Sequence, residues 1–474
     1  MQRGCFRVEG QFQRKVPWIA ALDFLYWNLK DFRPLKTMPF YDQAIETAPR
    51  ERLRALQFQK LQKLLREISG RNRFYTSKWN DAGVIPGDIR SISDFQKLPF
   101  THKSELVRAQ EEAPPFGTNA TFSVDAYTRV HQTSGTTGTP LSVVDTPESW
   151  EWWGDCWGHV LKAAGVTAAD RVFLAFSFGP FIGFWATVEG VRKIGAMVIP
   201  GGGKDSIQRL HMMRDLGATV VCSTPTYALR LAEVAREDHF DMRSLQVRTL
   251  IHAGEPGANV ARTKSRIEKA WNAKCFDHAG ASEVGAHSFE CEVQPGGIHV
   301  IESEFIAEVL DRHTGKDASS GEIGELVITN LGRAGFPVIR YRTGDLVRLN
   351  SSPCACGRSF ARFDGGLLGR SDDMVTIRGV NVYPTAIENV IRQFASVGEF
   401  QVTVSTLNEM QHLEVQIEVL SGNDAEHVRA SVEQAIYHAL SLHPTVKVAE
   451  PGTLTHFEMK ARRFRRLDGE NQPG

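Results

Sequence analysis

Four short apolar runs decide the fold: RVFLAF (171–176), AMVIP (196–200), ATVVCS (218–223) and RTLIHAG (248–254). Helical patterns separate them, most clearly at 206–216 and 225–236. Alternation of strand and helix at this spacing is typical of α/β layers built on a largely parallel sheet. We therefore expect a large α/β domain of layered sheets and helices.

The pattern changes after about residue 370. Helical spacing at 384–395 precedes two alternating runs, EFQVTVST and HLEVQIEV, and then a helix that Asn423 and Asp424 can cap. A last strand is expected at 446–450. The sequence thus predicts a large domain (1–368, with 1–36 as an N-terminal extension) and a small α+β domain (369–474).

Composition excludes several classes. The chain has 474 residues, of which 42% are hydrophobic, and its 55 Lys plus Arg balance 55 Asp plus Glu. Zero net charge argues against a broad nucleic-acid binder. The first residues lack the apolar core of a secretory signal, and the longest uncharged stretch, between Arg171 and Glu189, contains Gly and Pro. We expect no membrane span, and the seven cysteines, an odd number with no dense framework, favour a reducing cytoplasm.

One loop carries most of the chemical information. The sequence from His131 to Pro140 reads HQTSGTTGTP and follows a strand-like YTRV. Glycines let backbone N–H groups approach an anion, and hydroxyls add donors. No Gly-Lys-Ser/Thr follows, so this is not a Walker A loop. The sequence predicts phosphate binding by residues that share this loop: Thr133, Ser134, Gly135, Thr136, Thr137 and Gly138.

The loop resembles the phosphate loop of acyl-adenylate-forming enzymes, which include acyl-CoA synthetases and peptide-synthetase adenylation domains. Three further motifs match in the same order: Ala279-Gly-Ala-Ser-Glu283, Tyr341-Arg-Thr-Gly-Asp345 and Gly369-Arg-Ser-Asp-Asp373. Within that superfamily the chain is most similar to the phenylacetate–CoA ligase branch, on segments such as FYDQAIET, LPFTHKSEL and GRSDDMVTIRGVNVYPTAIE. The resemblance extends from about residue 39 to 465.

The resemblance implies roles for individual residues. Glu283 would be catalytic and would hold Mg²⁺ near the phosphates, a role that suits a hard oxygen ligand. Asp345 would bind the ribose hydroxyls, and Arg370 the ribose or phosphate. A solvated acid and a structural ion pair are the alternatives. Further nucleotide contacts are expected from two segments that follow strands: Ala253, Gly254, Glu255, Pro256, Asp277, His278, Ala279, Gly280 and Ser282.

The C-terminal end has two further implied roles. Lys460 matches the branch's Gly-Lys-Ala segment, although Met459 replaces the glycine. A lysine that contacts both the carboxylate and the α-phosphate would stabilise the adenylation transition state. Asp372 would be the hinge about which the small domain rotates between the two half-reactions. An exposed basic tail is the alternative for Lys460.

An aromatic segment, FSFGPFIGFW (176–185), is a candidate wall of the acid pocket. Aromatic-lined concavities suit planar apolar substrates, and plain core packing explains the segment equally well. The residues assigned to the pocket are Phe178, Phe181, Phe184, Gly280 and Ala281.

Three cysteines and one histidine form a candidate zinc site. Cys354-Ala-Cys356 resembles a metal-binding loop found in part of the branch, and Cys291 and His299 would complete a tetrahedral set. Such a metal would connect two loops without taking part in catalysis. Reduced thiols with no metal are the alternative.

These inferences describe an ATP-dependent acid–thiol ligase. A carboxylate, expected to be an aryl or arylacetic acid, would give an acyl-adenylate and pyrophosphate, and CoA would then displace AMP. A first alternative passes the acyl group to a carrier protein or an amine. A second is a non-catalytic nucleotide-binding module. The expected cofactors are ATP, Mg²⁺, CoA and a structural Zn²⁺. No nucleic acid or membrane partner is expected, and a homodimer is left open.

Overall fold

The computed structural model describes residues 40–133, 139–180, 182–183, 185–312, 314–371, 375–377, 380–382, 384–407, 410–440, 442–455 and 463–467. Several predicted positions lie outside these ranges: residues 1–36, Ser134 to Gly138, Phe181, Phe184, Asp372 and Lys460. Their assignments remain predictions.

The strands are β1 (Arg129–Gln132), β2 (Ser142–Asp145), β3 (Arg171–Leu174), β4 (Met197–Pro200), β5 (Val220–Ser223), β6 (Thr249–His252), β7 (Lys274–Ala281), β8 (Gly285–Glu290), β9 (Gly297–Val300), β10 (Phe305–Leu310), β11 (Ile323–Asn330), β12 (Tyr341–Asn350), β13 (Arg362–Asp364), β14 (Gly369–Arg370), β15 (Val375–Ile377), β16 (Val380–Val382), β17 (Val397–Leu407), β18 (Met410–Val419), β19 (Thr445–Ala449) and β20 (Phe464–Leu467).

The helices are α1 (Gln43–Glu46), α2 (Arg50–Ile68), α3 (Arg73–Asp81), α4 (Ile92–Phe95), α5 (Lys103–Glu112), α6 (Pro147–Ala163), α7 (Trp185–Ile194), α8 (Ser206–Asp215), α9 (Pro225–Glu237), α10 (Ala261–Trp271), α11 (Pro384–Ile391) and α12 (Ala425–Leu440). None of these helices combines the length and apolar character needed to cross a bilayer.

The four apolar runs form β3 to β6, four of the five parallel strands of the main sheet, as predicted; the fifth, β7, was not among the predicted runs. β4, β3, β5, β6 and β7 lie side by side in that order, each paired in parallel with its neighbour. The side chains of β3, β5 and β6 are buried on both faces, which explains why these runs are continuously apolar, whereas β4 at the sheet edge leaves Met197 exposed. Because these strands are parallel, their carboxyl ends face one edge, where Glu255 follows β6, Asp277 lies opposite the last residue of β6, and β7 leads to Glu283.

The second half of the sheet differs from the prediction. From β7 the order continues through β8, β9, β13, β12, β11 and β10 with antiparallel pairing, so the sheet as a whole is mixed. The sequence analysis missed this half because it weighed the strand–helix alternation, and β7 to β14 contain hairpins with no helix between them. This half carries Glu283, Tyr341 and Asp345.

The C-terminal residues form a separate hydrophobic core. β19, β18, β17 and β20 make a four-stranded sheet with α11 and α12 packed against it. Asp424 accepts the amides of Glu426 and His427 at 3.1 Å, so it caps α12 as expected. A large α/β domain followed by a small α+β domain is the predicted fold class. The boundary at residue 369 stays a prediction.

Candidate active site

The loop predicted to bind phosphate joins β1 to β2, which form an antiparallel hairpin. At its base Thr133 and Leu141 exchange two hydrogen bonds, from Thr133 N to Leu141 O and from Leu141 N to Thr133 Oγ1, both at 3.0 Å. The side chain of Gln110 bonds to Pro140 O and to Ser142 N on the other side. The base of the loop is thus fixed by hydrogen bonds on both sides.

Glu283 lies in the tight connection between β7 and β8. Its carboxylate is only 6% exposed, and Tyr341 Oη donates to its Oε1 over 2.8 Å. Lys103 Nζ lies 3.6 Å from the same oxygen. No donor within the described ranges bonds to Oε2. Glu283 is therefore a largely buried carboxylate in which Oε1 accepts a hydrogen bond and Oε2 has no donor among the described residues.

Two glycines make this connection possible. A Cβ on Gly280 would lie 2.7 Å from the carbonyl oxygen of Gly285, so only glycine permits the two backbones to approach so closely. Gly285 has φ = 130°, a conformation that L-residues rarely adopt. These constraints fix the short turn that presents Glu283.

The ribose-binding candidates lie beside Glu283. Asp345 and Arg370 are register partners of β12 and β14, and Arg370 Nη1 lies 3.4 Å from Asp345 Oδ1. Tyr341 belongs to the same strand as Asp345. Burial and the neighbouring Glu283 raise the pKa of the Tyr341 phenol well above its ordinary value, and the charges of Arg370 and Asp345 also act on it. Tyr341 therefore lies within the electrostatic range of all three predicted ligands.

The expected nucleotide contacts from β6 and β7 lie at the edge of the parallel half. Glu255 Oε1 accepts the amide of Thr226 at 2.8 Å. Burial and the charge of Glu290 raise the pKa of Asp277 to about 7. His278 differs from its neighbours, because its ring packs against Trp157 and its Nδ1 lies 2.6 Å from Ser288 O. Burial lowers the pKa of His278 to about 4, so its imidazole is a neutral core group.

The aromatic segment lies next to the phosphate loop. The amide of Gln132 donates to Pro180 O at 2.7 Å, which fixes the segment to the β1 end of the hairpin. Phe178 packs edge-on against Trp185 with ring centroids 4.4 Å apart, and Phe176 lies 4.8 Å away on its other side. Each of these rings remains at least partly exposed. Among the predicted pocket phenylalanines, the structure describes Phe178, and its neighbour Trp185 is the last residue of the predicted aromatic segment.

The small domain contacts the large one beside Glu255. Arg463 Nε donates to Glu399 at 2.5 Å within the small domain, and Arg463 Nη2 lies 3.3 Å from Thr226 Oγ1 on α9. The negative charge of Glu255 also acts on Arg463. Arg463, three residues after the predicted Lys460, therefore contacts the large domain at Thr226, the residue whose amide bonds to Glu255.

The zinc candidates form one buried cluster. The ligand atoms of Cys291, His299, Cys354 and Cys356 all lie within 4.8 Å of one another. Cys291 Sγ and Cys354 Sγ are 3.7 Å apart, and Cys356 Sγ lies 3.6 Å from His299 Nε2. His299 Nδ1 is 3.0 Å from Phe360 O, so it carries the proton and leaves Nε2 as the ligand atom.

Sequence reasoning missed three polar groups around Glu283. Lys103 and Tyr341 both belong to motifs quoted in the sequence analysis. The available signal was that a buried carboxylate such as Glu283 needs a hydrogen-bond donor or a cation beside it. Arg333 lies outside every motif that was considered, and its carboxylate partner Asp145 is distant in sequence. Only tertiary contacts bring that pair to the site.

Both domains of the chain are similar in sequence to known proteins. A family profile described as AMP-binding enzyme matches residues 88–334, and a second, described as AMP-binding enzyme C-terminal domain, matches residues 379–466. A phenylacetate-coenzyme A ligase of Thermus thermophilus is 34% identical over 384 residues, which cover 80% of this chain and 84% of that protein. The ligase of the same name in Escherichia coli K12 is 34% identical over 379 residues, 79% of this chain and 84% of that protein.

Solved structures agree too. A 2-hydroxyisobutyryl-CoA ligase in the postadenylation state has a TM-score of 0.86 and 27% identity, covering 93% of this chain and 94% of that one. The same ligase in the thioesterification state has a TM-score of 0.70 and 28% identity, covering 93% and 95%. This chain is thus more similar to the first of the two arrangements.

The fold and the family and relative matches define an enzyme that forms acyl-adenylates from ATP. The chain belongs to the AMP-binding enzyme family, and it is an acid–thiol ligase of the AMP-forming acyl-CoA synthetase type.

Proposed function

We propose that this ligase activates an aryl or arylacetic acid and transfers it to CoA. The acid carboxylate attacks the α-phosphorus of ATP, pyrophosphate leaves, and the CoA thiol then displaces AMP to give the thioester. The observation that carries the proposal is the linkage of the aromatic segment to the phosphate-loop hairpin through Gln132 and Pro180. The names of the relatives at 34% identity support an arylacetic substrate.

The predicted residues receive the following roles. The loop from Thr133 to Gly138 surrounds the phosphates, and Asp345 with Arg370 positions the ribose. Lys460 stabilises charge on the α-phosphate during adenylation. Positioning and fixed charges supply most of the catalysis in such a reaction, because the attacking carboxylate is already ionised at neutral pH.

Glu283 would hold Mg²⁺. The fit rests on its chemistry and surroundings: Oε1 is oriented by Tyr341, and Oε2 lacks a donor among the described residues. Mg²⁺ typically takes one or two protein carboxylates together with substrate phosphates. Bound there, the metal would neutralise phosphate charge.

The cysteine cluster would hold Zn²⁺ in a structural role. For Zn–S distances of about 2.3 Å and Zn–N distances of about 2.0–2.1 Å, a tetrahedron has S···S edges of about 3.8 Å and S···N edges of about 3.6 Å. The observed separations of 3.7 Å and 3.6 Å fit these edges. A disulfide would need about 2.05 Å between the sulfurs. Arg358, two residues after Cys356, forms a buried ion pair with Glu46.

An acid panel tests the substrate class. Acid-dependent ATP–pyrophosphate exchange should be strongest with phenylacetate or benzoate derivatives, and weaker with aliphatic acids of equal size. AMP release should then require CoA rather than a holo carrier protein or a simple amine. Preference for a short aliphatic acid would contradict the aryl assignment, and AMP release with another acceptor would contradict the CoA step.

A further inference from the structure

We propose that Arg333 and Asp145 form a positioning pair that holds the phosphate-loop hairpin against the turn that carries Glu283. The proposal rests on the role proposed for Glu283 as the Mg²⁺ ligand. It adds two residues that lie outside all the recognised motifs, and it explains how two parts of the site that are distant in sequence keep a fixed separation.

The contacts run from the hairpin to the turn. Arg333 donates to Asp145 through two bonds, Nε to Oδ1 at 2.7 Å and Nη2 to Oδ2 at 2.6 Å. Asp145 is the last residue of β2, in the hairpin that presents the phosphate loop. The third nitrogen, Nη1, donates to Ser282 O at 2.7 Å. One guanidinium therefore bonds both to the hairpin and to the peptide preceding Glu283.

The residue that follows Glu283 is held as well. Asn330 is fully buried, and its Nδ2 donates to Val284 O at 3.0 Å. Side-chain donors thus bond to the carbonyl groups on both sides of Glu283, while Tyr341 bonds to its carboxylate. With backbone and side chain both bonded, the carboxylate has little freedom to move.

The pair is rigid because it is completely buried. Arg333 and Asp145 are both 0% exposed, and the guanidinium lies 5.5 Å from the Trp153 ring centroid. Ser149 Oγ adds a donor to Asp145 at 2.9 Å. A planar guanidinium can make two parallel bonds to a carboxylate and a third to a carbonyl, a geometry that lysine cannot reproduce. Arg333→Lys therefore keeps the charge and removes the positioning.

The test measures single-turnover ATP consumption with acid, as a function of Mg²⁺, in wild type, Arg333→Lys, Glu283→Gln and the double variant. Arg333→Lys should slow adenylation about tenfold, as expected for residues coupled in one hydrogen-bond network, and should raise the Mg²⁺ concentration needed for half the maximal rate. On the Glu283→Gln background the same substitution should change the rate less than twofold. Thiolysis of supplied acyl-adenylate should be unchanged.

Two further variants distinguish the positioning role from a general loss of protein stability. Asp145→Asn combined with Arg333→Gln removes both buried charges together, so neither is left unpaired, and it should reproduce the Mg²⁺ effect. Arg358→Lys is the matched control, because Arg358 forms an equally buried pair with Glu46 elsewhere. It should lower the melting temperature and leave the Mg²⁺ dependence unchanged.

Failure of the positioning pair and failure of the proposed function give different results. An Arg333→Lys loss that is equal in both half-reactions, equal on both Glu283 backgrounds, or without a change in Mg²⁺ dependence would overturn the pair's positioning role. A wild-type enzyme with no acid-dependent ATP consumption would instead overturn the proposed function.

Discussion

Tyr341 donates its phenolic hydrogen to Glu283, with 2.8 Å between Oη and Oε1. The two residues come from β12 and from the β7–β8 turn, so this bond joins the strand of the proposed ribose ligand Asp345 to the proposed metal ligand. Because the pKa of Tyr341 is raised well above its ordinary value, the phenol stays protonated and remains a donor at any working pH.

Tyr341→Phe should slow adenylation by about fivefold to tenfold, the size expected when a hydrogen bond worth about 1–1.5 kcal/mol is lost. Glu283 would keep its charge but lose its orientation. Tyr437→Phe, a surface tyrosine of the small domain, is the control and should have no effect. Unchanged adenylation in Tyr341→Phe would show that the bond has no role in orienting Glu283.

Glu283→Gln should weaken the use of Mg·ATP because the amide lacks the negative charge that a hard cation prefers. The expected result is a loss of at least about 100-fold in adenylation at limiting Mg²⁺, typical of a lost electrostatic group in phosphoryl chemistry. Rates across a Mg²⁺ titration check this. The melting temperature should stay close to that of wild type. If Glu283→Gln and wild type have the same Mg²⁺ dependence, Glu283 is not a metal ligand.

Lys460→Ala should depress adenylation far more than thiolysis, since the proposed lysine acts only on the α-phosphate in the first half-reaction. A loss of about 100-fold or more is expected from removing such a charge. Thiolysis is assayed with supplied acyl-adenylate and CoA. Arg465→Ala, on an exposed position of the same tail, is the control and should affect both steps little. Equal losses in both steps would contradict the role of Lys460.

Zinc should be present at about one atom per chain in gently purified protein, measured by elemental analysis. Cys354→Ser should remove it and lower the melting temperature, because metal binding free energy contributes to folding. Cys222→Ser, a buried cysteine outside the cluster, should keep the metal. Metal-free wild-type protein, or zinc retained by Cys354→Ser, would contradict the site.

Asp277 should make stability depend on pH. Burial and Glu290 raise its pKa to about 7 in the folded protein, so between its ordinary value and pH 7 the folded state holds a proton that the unfolded state releases. This contribution to stability is therefore lost as pH rises toward 7 and then stays constant. Asp277→Asn removes the effect, so the melting temperature of the variant relative to wild type should rise between pH 5 and pH 8.

Thermal melting across that pH range measures the difference, and Asp238→Asn, at an exposed position on the same domain, should follow the wild-type curve. Parallel curves for Asp277→Asn and wild type would show that Asp277 titrates normally.

The apolar runs 171–176, 196–200, 218–223 and 248–254 predicted four of the five parallel strands, because the inner strands are buried on both faces and burial of that kind requires continuous apolar residues; β7, which contains Asp277 and His278, was not predicted. The small domain was predicted from alternation and helical spacing for the same local reason. The antiparallel half was not predicted, since hairpin pairing depends on which strands meet, and that is set by long-range packing.

The sequence by itself determined the chemistry: the hydroxyl- and glycine-rich loop, the acid at 283, the motif order and the four zinc-type ligands are all local choices of residue. Tertiary structure alone decided how these parts are held. Arg333 reaches Asp145 across 188 positions of chain, and the sulfurs of Cys291 and Cys354 come within 3.7 Å across 63. Such pairs form because a buried polar group needs a hydrogen-bonding or charged partner close to it in the folded protein. The spacing of residues along the sequence does not show which residue that partner is.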